Sequence, residues 1–257
     1  MKQIIILITL FATGLGYGQD NNPDNFLSEI KKYNISDLWT LKKFETEYEH
    51  DTSWIKRAEP LGYIGESYQR FYIHFISVIQ NPYNKLEYMV YGKTRVKTNI
   101  CSFLGILRIE VSKIYKSDKN PDIKHGYVEG DYEFFEDSEQ KSTGILKGKF
   151  MTEFYIDKTG QIKYNSLSYG SDGFENNQFE GSWTSYKLKD SKKCNWGDYR
   201  IPDSKDLDCG AAEFGPHPKY DLFGWDSYSI SMGIKTGDLT EEEARIIENE
   251  KWWMDKK

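Results

Sequence analysis

Six residues between positions 194 and 226 combine aromatic rings with charged side chains in a pattern typical of carbohydrate sites. They are Trp196, Asp198, Arg200, Glu213, His217 and Trp225. In such sites a ring stacks on the sugar, and two carboxylates ~5–10 Å apart can hydrolyse a glycosidic bond. The pattern therefore predicts a ligand-binding site, with glycan binding or glycoside hydrolysis as one form of it.

The same residues also have a structural interpretation. Trp196 and Trp225 would fill the core of a loop region, and Asp198 would pair with Arg200. The sequence leaves both interpretations open, and we assign no catalytic residue.

The sequence lacks the short motifs of several common enzyme classes. It contains no Gly-x-Ser-x-Gly elbow, no P-loop and no dinucleotide-binding fingerprint. No two of its four histidines have metal-ligand spacing, and Cys-x-x-Cys does not occur. We therefore predict no metal site and no cofactor, and a non-enzymatic role is favoured.

Three cysteines, Cys101, Cys194 and Cys209, leave at least one thiol without an intramolecular partner. We predict a Cys194–Cys209 disulfide, because it would close a Gly- and Pro-rich segment with little regular structure. Such a loop closure contributes about 3 kcal/mol by the chain-entropy model. Cys101 would then be a small buried apolar residue in a strand.

The first residues have the three parts of a secretory signal peptide. Lys2 is followed by an apolar run over 4–11, and Gly16 and Gly18 form a small-x-small cleavage pattern. The run is too short to span ~30 Å of hydrocarbon, so we predict no transmembrane anchor. The expected location of the mature chain, from residue 19, is the periplasm or the cell exterior.

Charge and its distribution argue against a nucleic-acid partner. The formal net charge is −6, and the 34 Lys and Arg residues are scattered along the chain. Proteins that bind a phosphate backbone instead cluster positive charge on one face. The expected partners are a small apolar ligand or a glycan, and the sequence identifies no protein partner.

Runs of β-branched and aromatic residues separated by short turns predict an antiparallel β-meander over residues 61–190. The predicted strands cover 68–79, 86–96, 101–115, 127–135, 144–156, 162–169 and 179–187.

A Gly-x-aromatic unit recurs at three predicted strand positions, beginning at Gly130, Gly148 and Gly181. A strand glycine relieves crowding where a sheet curves, and a neighbouring aromatic ring can cover it. We therefore predict an all-β fold in which the meander forms a barrel or a strongly curved sheet.

Other segments are expected to flank the meander within one globular domain. Residues 19–60 are predicted to be a polar leader with short helices, and residues 191–238 a Gly- and Pro-rich loop region. Residues 239–257 are predicted to contain a C-terminal helix, because Thr240 and Glu243 match a capping box.

Parts of the sequence resemble exported bacterial proteins of uncharacterised function. The similar passages are 69–75, 92–101 and 194–202. The order of meander, Gly-x-aromatic units and terminal helix is similar in architecture to lipocalin-like and avidin-like barrels, although those proteins carry Gly-x-Trp in the first strand. This architecture implies a small ligand held in the mouth of a barrel.

Three functions are consistent with these observations. The first is an exported, non-catalytic binding or accessory module, with its ligand in the barrel mouth or against the late loop. The second is a carbohydrate-binding or glycoside-hydrolysing protein that uses the loop over 194–226. The third is a structural or surface protein-interaction domain.

Overall fold

The structure is a computed structural model that describes residues 23–48, 51–115 and 123–254. The predicted signal peptide lies outside the described residues. The helices are α1 (Leu27–Ile30), α2 (Asp37–Thr40), α3 (Asp226–Ser231) and α4 (Glu241–Glu248), with 3-10 turns at Lys205–Leu207 and Pro218–Phe223. The strands are β1 (Asp24–Asn25), β2 (Lys43–Tyr48), β3 (Asp51–Lys56), β4 (Leu61–Ile64), β5 (Gln69–Gln80), β6 (Glu87–Val96), β7 (Asn99–Ile114), β8 (Lys124–Glu136), β9 (Gly144–Ile156), β10 (Ile162–Tyr164), β11 (Asn176–Ser185) and β12 (Ser191–Asp198).

Eight of these strands close into an antiparallel β-barrel. Around the ring the order is β4, β5, β6, β7, β8, β9, β11 and β12, and β12 returns to pair with β4. The closing register places Cys194 opposite Ile64 and Trp196 opposite Gly62. Closure removes the exposed edges that an open sheet would leave. The predicted all-β barrel with short helices at both ends is confirmed.

Alternation along each strand directs apolar side chains into the barrel. In β8, for example, Val128, Tyr132 and Phe134 are buried, whereas Glu129 and Asp131 lie on the outer face. Aromatic rings fill the interior, and the rings of Phe179 and Trp196 stack with centroids 4.8 Å apart. The other large rings of this core include Phe71, Phe103, Phe150 and Phe154.

The three Gly-x-aromatic units lie on neighbouring strands, as the curved-sheet prediction requires. Gly148 on β9 lies between Tyr132 on β8 and Gly181 on β11. A Cβ atom on Gly181 would collide with the Tyr132 hydroxyl, so the tyrosine of the first unit occupies the space left by the glycine of the third. The glycines therefore permit the close approach of strands on which the barrel's curvature depends.

The N-terminal helices close one end of the barrel. Ile30 in α1 and Leu38 and Trp39 in α2 are buried. The Trp39 indole donates a hydrogen bond to Thr152 Oγ1 at 2.9 Å. Between α2 and β4 along the chain, β2 and β3 form a separate hairpin that the sequence did not predict.

The strand β12 lies where the sequence predicted the start of a loop region at residue 191. Its last five residues are buried, because the barrel core covers one face and the following segment covers the other. Asn195 on the outer face donates to Pro202 O at 2.9 Å. Since both faces are buried, the residues do not alternate in polarity and the usual strand signal is missing.

The segment after β12 forms a second, smaller core against the outside of the barrel. Trp225 and Leu207 are fully buried there, beside Tyr63 of β4. The capping box of α4 is confirmed, since Thr240 and Glu243 exchange hydrogen bonds. Within the described ranges, no helix combines the length and apolar character needed to cross a bilayer.

The predicted disulfide is not formed, because all three cysteines are free. Cys194 lies in β12 with its side chain fully buried in the barrel core, whereas Cys209 is exposed in the later segment. Burial raises the pKa of the Cys194 thiol well above its ordinary value, and that of Cys101 to about 12. Hydrogen bonds and packing, rather than a covalent link, therefore hold the late segment.

Candidate functional site

The two predicted stacking tryptophans lie in different cores. Trp196 is part of the barrel interior. Trp225 is buried in the second core, where its Nε1 donates to Tyr68 O at 2.7 Å and its ring contacts the Arg70 guanidinium. Neither ring presents an open face to a ligand in this structure.

Asp198 sits in a buried polar cluster at the barrel end that α1 and α2 close. Arg57 donates to both carboxylate oxygens, at 2.9 and 2.8 Å. Tyr164 and Asn177 donate to Oδ2, at 2.9 and 2.8 Å. Asp198 therefore pairs with Arg57 and not with Arg200.

The charge of Asp198 raises the pKa of both Arg57 and Tyr164, against the effect of burial for Arg57 and in the same direction for Tyr164. Burial alone would lower the pKa of Arg57, but the charge and hydrogen bonds of Asp198 raise it overall. Burial raises the pKa of Tyr164, and the nearby carboxylate raises it further. Arg57 thus stays charged and Tyr164 stays protonated as a hydrogen-bond donor. The cluster therefore has a structural role.

The remaining predicted residues are dispersed. Arg200 pairs with Asp208 at 2.5 Å and donates to Ala211 O at 3.1 Å. Glu213 is exposed, and His217 is an exposed cap that accepts a hydrogen bond from Lys219 N. The structure therefore does not bring the six predicted residues together, and of the six only Arg200 lines the open groove described next.

A groove of about 640 Å³ runs between the outer face of β8, β9 and β11 and the segment that follows β12. This volume is within the usual range of small-ligand pockets. We call it the acidic groove, and its polar lining includes Glu129, Glu175, Gln178, Glu180, Arg200 and Asp203.

Negative charge is in excess in the acidic groove. Its two cations already have acidic partners: Lys149 is 2.7 Å from Asp131, and Arg200 pairs with Asp208. Burial raises the pKa of Glu175, the charge of Glu153 raises it further, and Arg200 opposes both effects. A positive charge entering the groove would lower the electrostatic cost of ionising Glu175.

Gln178 adds an amide to the floor of the acidic groove. Its side-chain nitrogen is fixed by hydrogen bonds to Asn176 O and Arg200 O, at 3.0 and 3.1 Å. Its Oε1 atom is buried and has no hydrogen-bond partner among the described residues. A buried acceptor of this kind is usually satisfied, so the groove retains hydrogen-bonding capacity.

The described residues contain no group of three or more His, Cys, Asp or Glu side chains arranged to hold a metal ion. The carboxylates that line the acidic groove therefore do not form such a group. They are suited to a ligand that is itself extended over several ångströms.

The groove carboxylates were not among the predicted site residues, although the sequence does indicate that two of them, Glu129 and Glu180, lie on the outer face of the sheet. Glu129 and Glu180 occupy outward positions of strands that alternate in polarity. The pairing of β9 with both β8 and β11 brings these strands side by side, and that pairing is a property of the whole ring. Glu175 lies between the predicted strands 162–169 and 179–187, where no alternation of polarity marks a face.

The far end of the barrel holds a second buried carboxyl group. Glu136 accepts hydrogen bonds from Thr94 Oγ1 at 2.5 Å, Trp183 Nε1 at 2.8 Å and Gly144 N at 2.9 Å. Burial raises its pKa, and these hydrogen bonds oppose that effect. Since every contact is internal, Glu136 joins the strands at this end of the barrel.

These features define the class of the molecule: a small, closed, eight-stranded antiparallel β-barrel with a filled interior and a polar groove on its outside. Comparison with protein-family models, with curated proteins and with solved structures found no match. The function is therefore inferred from the site itself.

Proposed function

We propose that the protein is an exported, non-catalytic binding protein whose ligand lies in the acidic groove, against the segment that follows β12. The observation that carries this proposal is a groove of about 640 Å³ whose carboxylates outnumber its cations and whose cations are already paired. Ligand binding in the barrel itself receives no such support, because aromatic side chains fill the interior.

The ligand proposed for the acidic groove is an organic cation with more than one amine or guanidinium group. Glu129, Glu175 and Glu180 offer separate acceptors along the groove, and they do not form a cluster suited to one metal ion. Carboxylates pair strongly with ammonium and guanidinium groups when water is partly excluded. A linear polyamine has charges spaced along its length and fits this arrangement.

Isothermal titration calorimetry with spermine tests the proposal. The wild-type protein is expected to bind spermine saturably at one site. Glu175→Gln is expected to weaken binding about tenfold, because a charged hydrogen bond of about 1.5–3 kcal/mol is lost. A neutral probe, maltotetraose, is expected not to bind.

The matched control is Glu133→Gln, which removes the same charge from the outer face of β8 outside the acidic groove. It is expected to leave spermine affinity within about twofold of wild type, since exposed charges at a distance are screened by salt. Equal losses of spermine affinity for Glu133→Gln and Glu175→Gln would show that binding depends only on net charge, and would refute the proposed site. Binding of maltotetraose would favour the carbohydrate alternative.

Export is proposed on the N-terminal pattern of Lys2, the apolar run and Gly16-x-Gly18. Intact-mass analysis of the protein recovered outside the cytoplasm tests it. The expected mature chain begins at Gln19. Recovery of a chain that still begins at Met1 would contradict it.

A further inference from the structure

A second concave site lies on the side of the barrel across the ring from β9 and β11. It is a cleft of about 330 Å³ formed by the adjoining ends of β5 and β6 and by the turn that ends at Gly224. We call it the basic cleft, and it is lined by Gln69, Arg70, Tyr72, Arg95, Lys97 and Leu222. Its position and lining are independent of the acidic groove.

Three cations meet at the basic cleft in a chain whose net charge is −6. Two of them lie against the ring of Tyr72: the Arg95 guanidinium is 4.0 Å and the Arg70 guanidinium 4.9 Å from its centroid. These contacts hold the arginine side chains in place. Lys97 extends from the β6–β7 turn and is exposed. The cleft therefore presents preorganised positive charge.

The two arginines have hydrogen-bonding capacity that the protein does not use. Arg70 is 3% exposed, and its Nε and Nη1 atoms have no hydrogen-bond partner among the described residues. The Nε atom of Arg95 is also buried without one. A guanidinium group carries five N–H donors, and buried donors without acceptors are costly. An anion in the cleft would compensate this concentration of positive charge.

Two carboxylates from the C-terminal segment partly neutralise the cluster. Glu248 accepts from Arg70 at 3.3 Å, and Glu250 lies 3.3 Å from Arg95. Two acids against three cations leave a positive balance. The Arg95 side chain is 14% exposed and that of Glu250 is 47% exposed, so Glu250 reaches Arg95 from the solvent side, where an external anion would compete with it.

We propose that the basic cleft binds the anionic group of a small ligand, a carboxylate or a phosphate. Arg95 and Lys97 contact the anion directly, and the buried Arg70 contributes its charge from below. The exposed side chain of Leu222 at the rim provides an apolar contact for the rest of the ligand.

The test is a titration of inorganic phosphate and, separately, of hexanoate, at constant ionic strength maintained with sodium chloride. Tryptophan fluorescence provides the readout, because the Trp252 ring lies 5.2 Å from the Arg95 guanidinium. Saturable changes are expected with at least one probe. Tighter binding of phosphate would indicate a phosphorylated ligand, and tighter binding of hexanoate a carboxylate with an apolar tail.

Variants separate a specific site from general charge effects. Arg95→Gln is expected to weaken binding about tenfold or more. Lys97→Asn removes the exposed charge and suits the positive φ of 54° at this turn, so it keeps the test informative if Arg95→Gln fails to fold. Arg108→Gln, on the outer face of β7 outside the cleft, is the matched control and is expected to have no effect. A response to neither probe, or equal responses in all variants, would overturn the proposal.

Discussion

Carboxylates inside the barrel and carboxylates on its outer face differ in burial and in their hydrogen-bond partners. At the two ends of the barrel, Asp198 and Glu136 are each buried and surrounded by donors from several elements. In the acidic groove, Glu129, Glu175 and Glu180 face a volume that no side chain occupies. The difference indicates that the first pair stabilises the barrel, whereas the groove carboxylates are available to a ligand.

The two internal carboxylates also differ from each other. Asp198 has a cationic partner, Arg57, whereas the donors to Glu136 are neutral. A buried ion pair that loses one member leaves an uncompensated charge, whereas loss of Glu136 leaves only neutral donors without an acceptor.

The largest effect is expected for Asp198→Ala. Arg57 would remain buried without its partner, so the free energy of unfolding should fall by about 3–5 kcal/mol. Urea denaturation measures the change. The control is Asp206→Ala, which removes an exposed ion pair with Lys219 and a hydrogen bond from the Tyr220 hydroxyl and should cost much less. Similar losses for the two variants would contradict the structural role of Asp198.

A smaller loss is expected for Glu136→Ala. The Trp183 and Gly144 N–H groups would lose their acceptor, at a cost of about 1–3 kcal/mol. Glu136→Gln should retain most of the stability, because the amide oxygen can accept from both N–H groups while its nitrogen donates to Thr94. Denaturation of both variants at pH 7 checks this order, and an equal loss for the two variants would contradict it.

The pH dependence of stability sharpens the same comparison. Burial raises the pKa of Glu136 above its ordinary value, so the folded state binds this proton more tightly than the unfolded state. Its contribution to stability is therefore complete below pH 4.5 and is lost as the pH rises through the raised pKa. Denaturation between pH 4 and 8 should show wild type losing stability relative to Glu136→Gln. Parallel curves for the two proteins would contradict this.

The smallest effect on stability is expected for Glu175→Gln, which should change the free energy of unfolding by no more than about 0.5 kcal/mol. Its effect should appear in binding. Because burial raises the pKa of Glu175, spermine affinity should fall as the pH drops through that pKa, and the variant should lack this component. Calorimetry at pH 5 and pH 7.5 measures the difference.

Strands with one buried face were easier to predict from the sequence than strands that are buried on both faces. Leu107 and Ile109 alternate with Arg108 and Glu110, and β7 was predicted with nearly its observed length. In contrast, the last five residues of β12 are covered on both sides and show no alternation. Because residue 194 was assigned to a loop region, a Cys194–Cys209 disulfide was predicted. In the structure, Cys194 is instead buried in the barrel core and both cysteines are free.

The candidate site was less predictable than the fold, because it depends on which strands become neighbours. Trp196 and Trp225 were candidates either for ligand contact or for filling a core, and the structure buries both. Asp198 was expected to pair with the nearby Arg200, but its partner is Arg57, which is distant in sequence. Local spacing does not contain these contacts, because they form only when β12 closes the ring beside β4 and β11.

Mapping spermine binding onto the backbone amides by NMR is the most direct test of the central claim, that the binding surface is outside the barrel. Saturable shifts are expected only at the outward residues of β8, β9 and β11 and at residues 200–208, with no shifts at interior residues such as Phe134 and Trp196. Shifts centred on the barrel interior, or spread evenly over the exposed carboxylates, would contradict it.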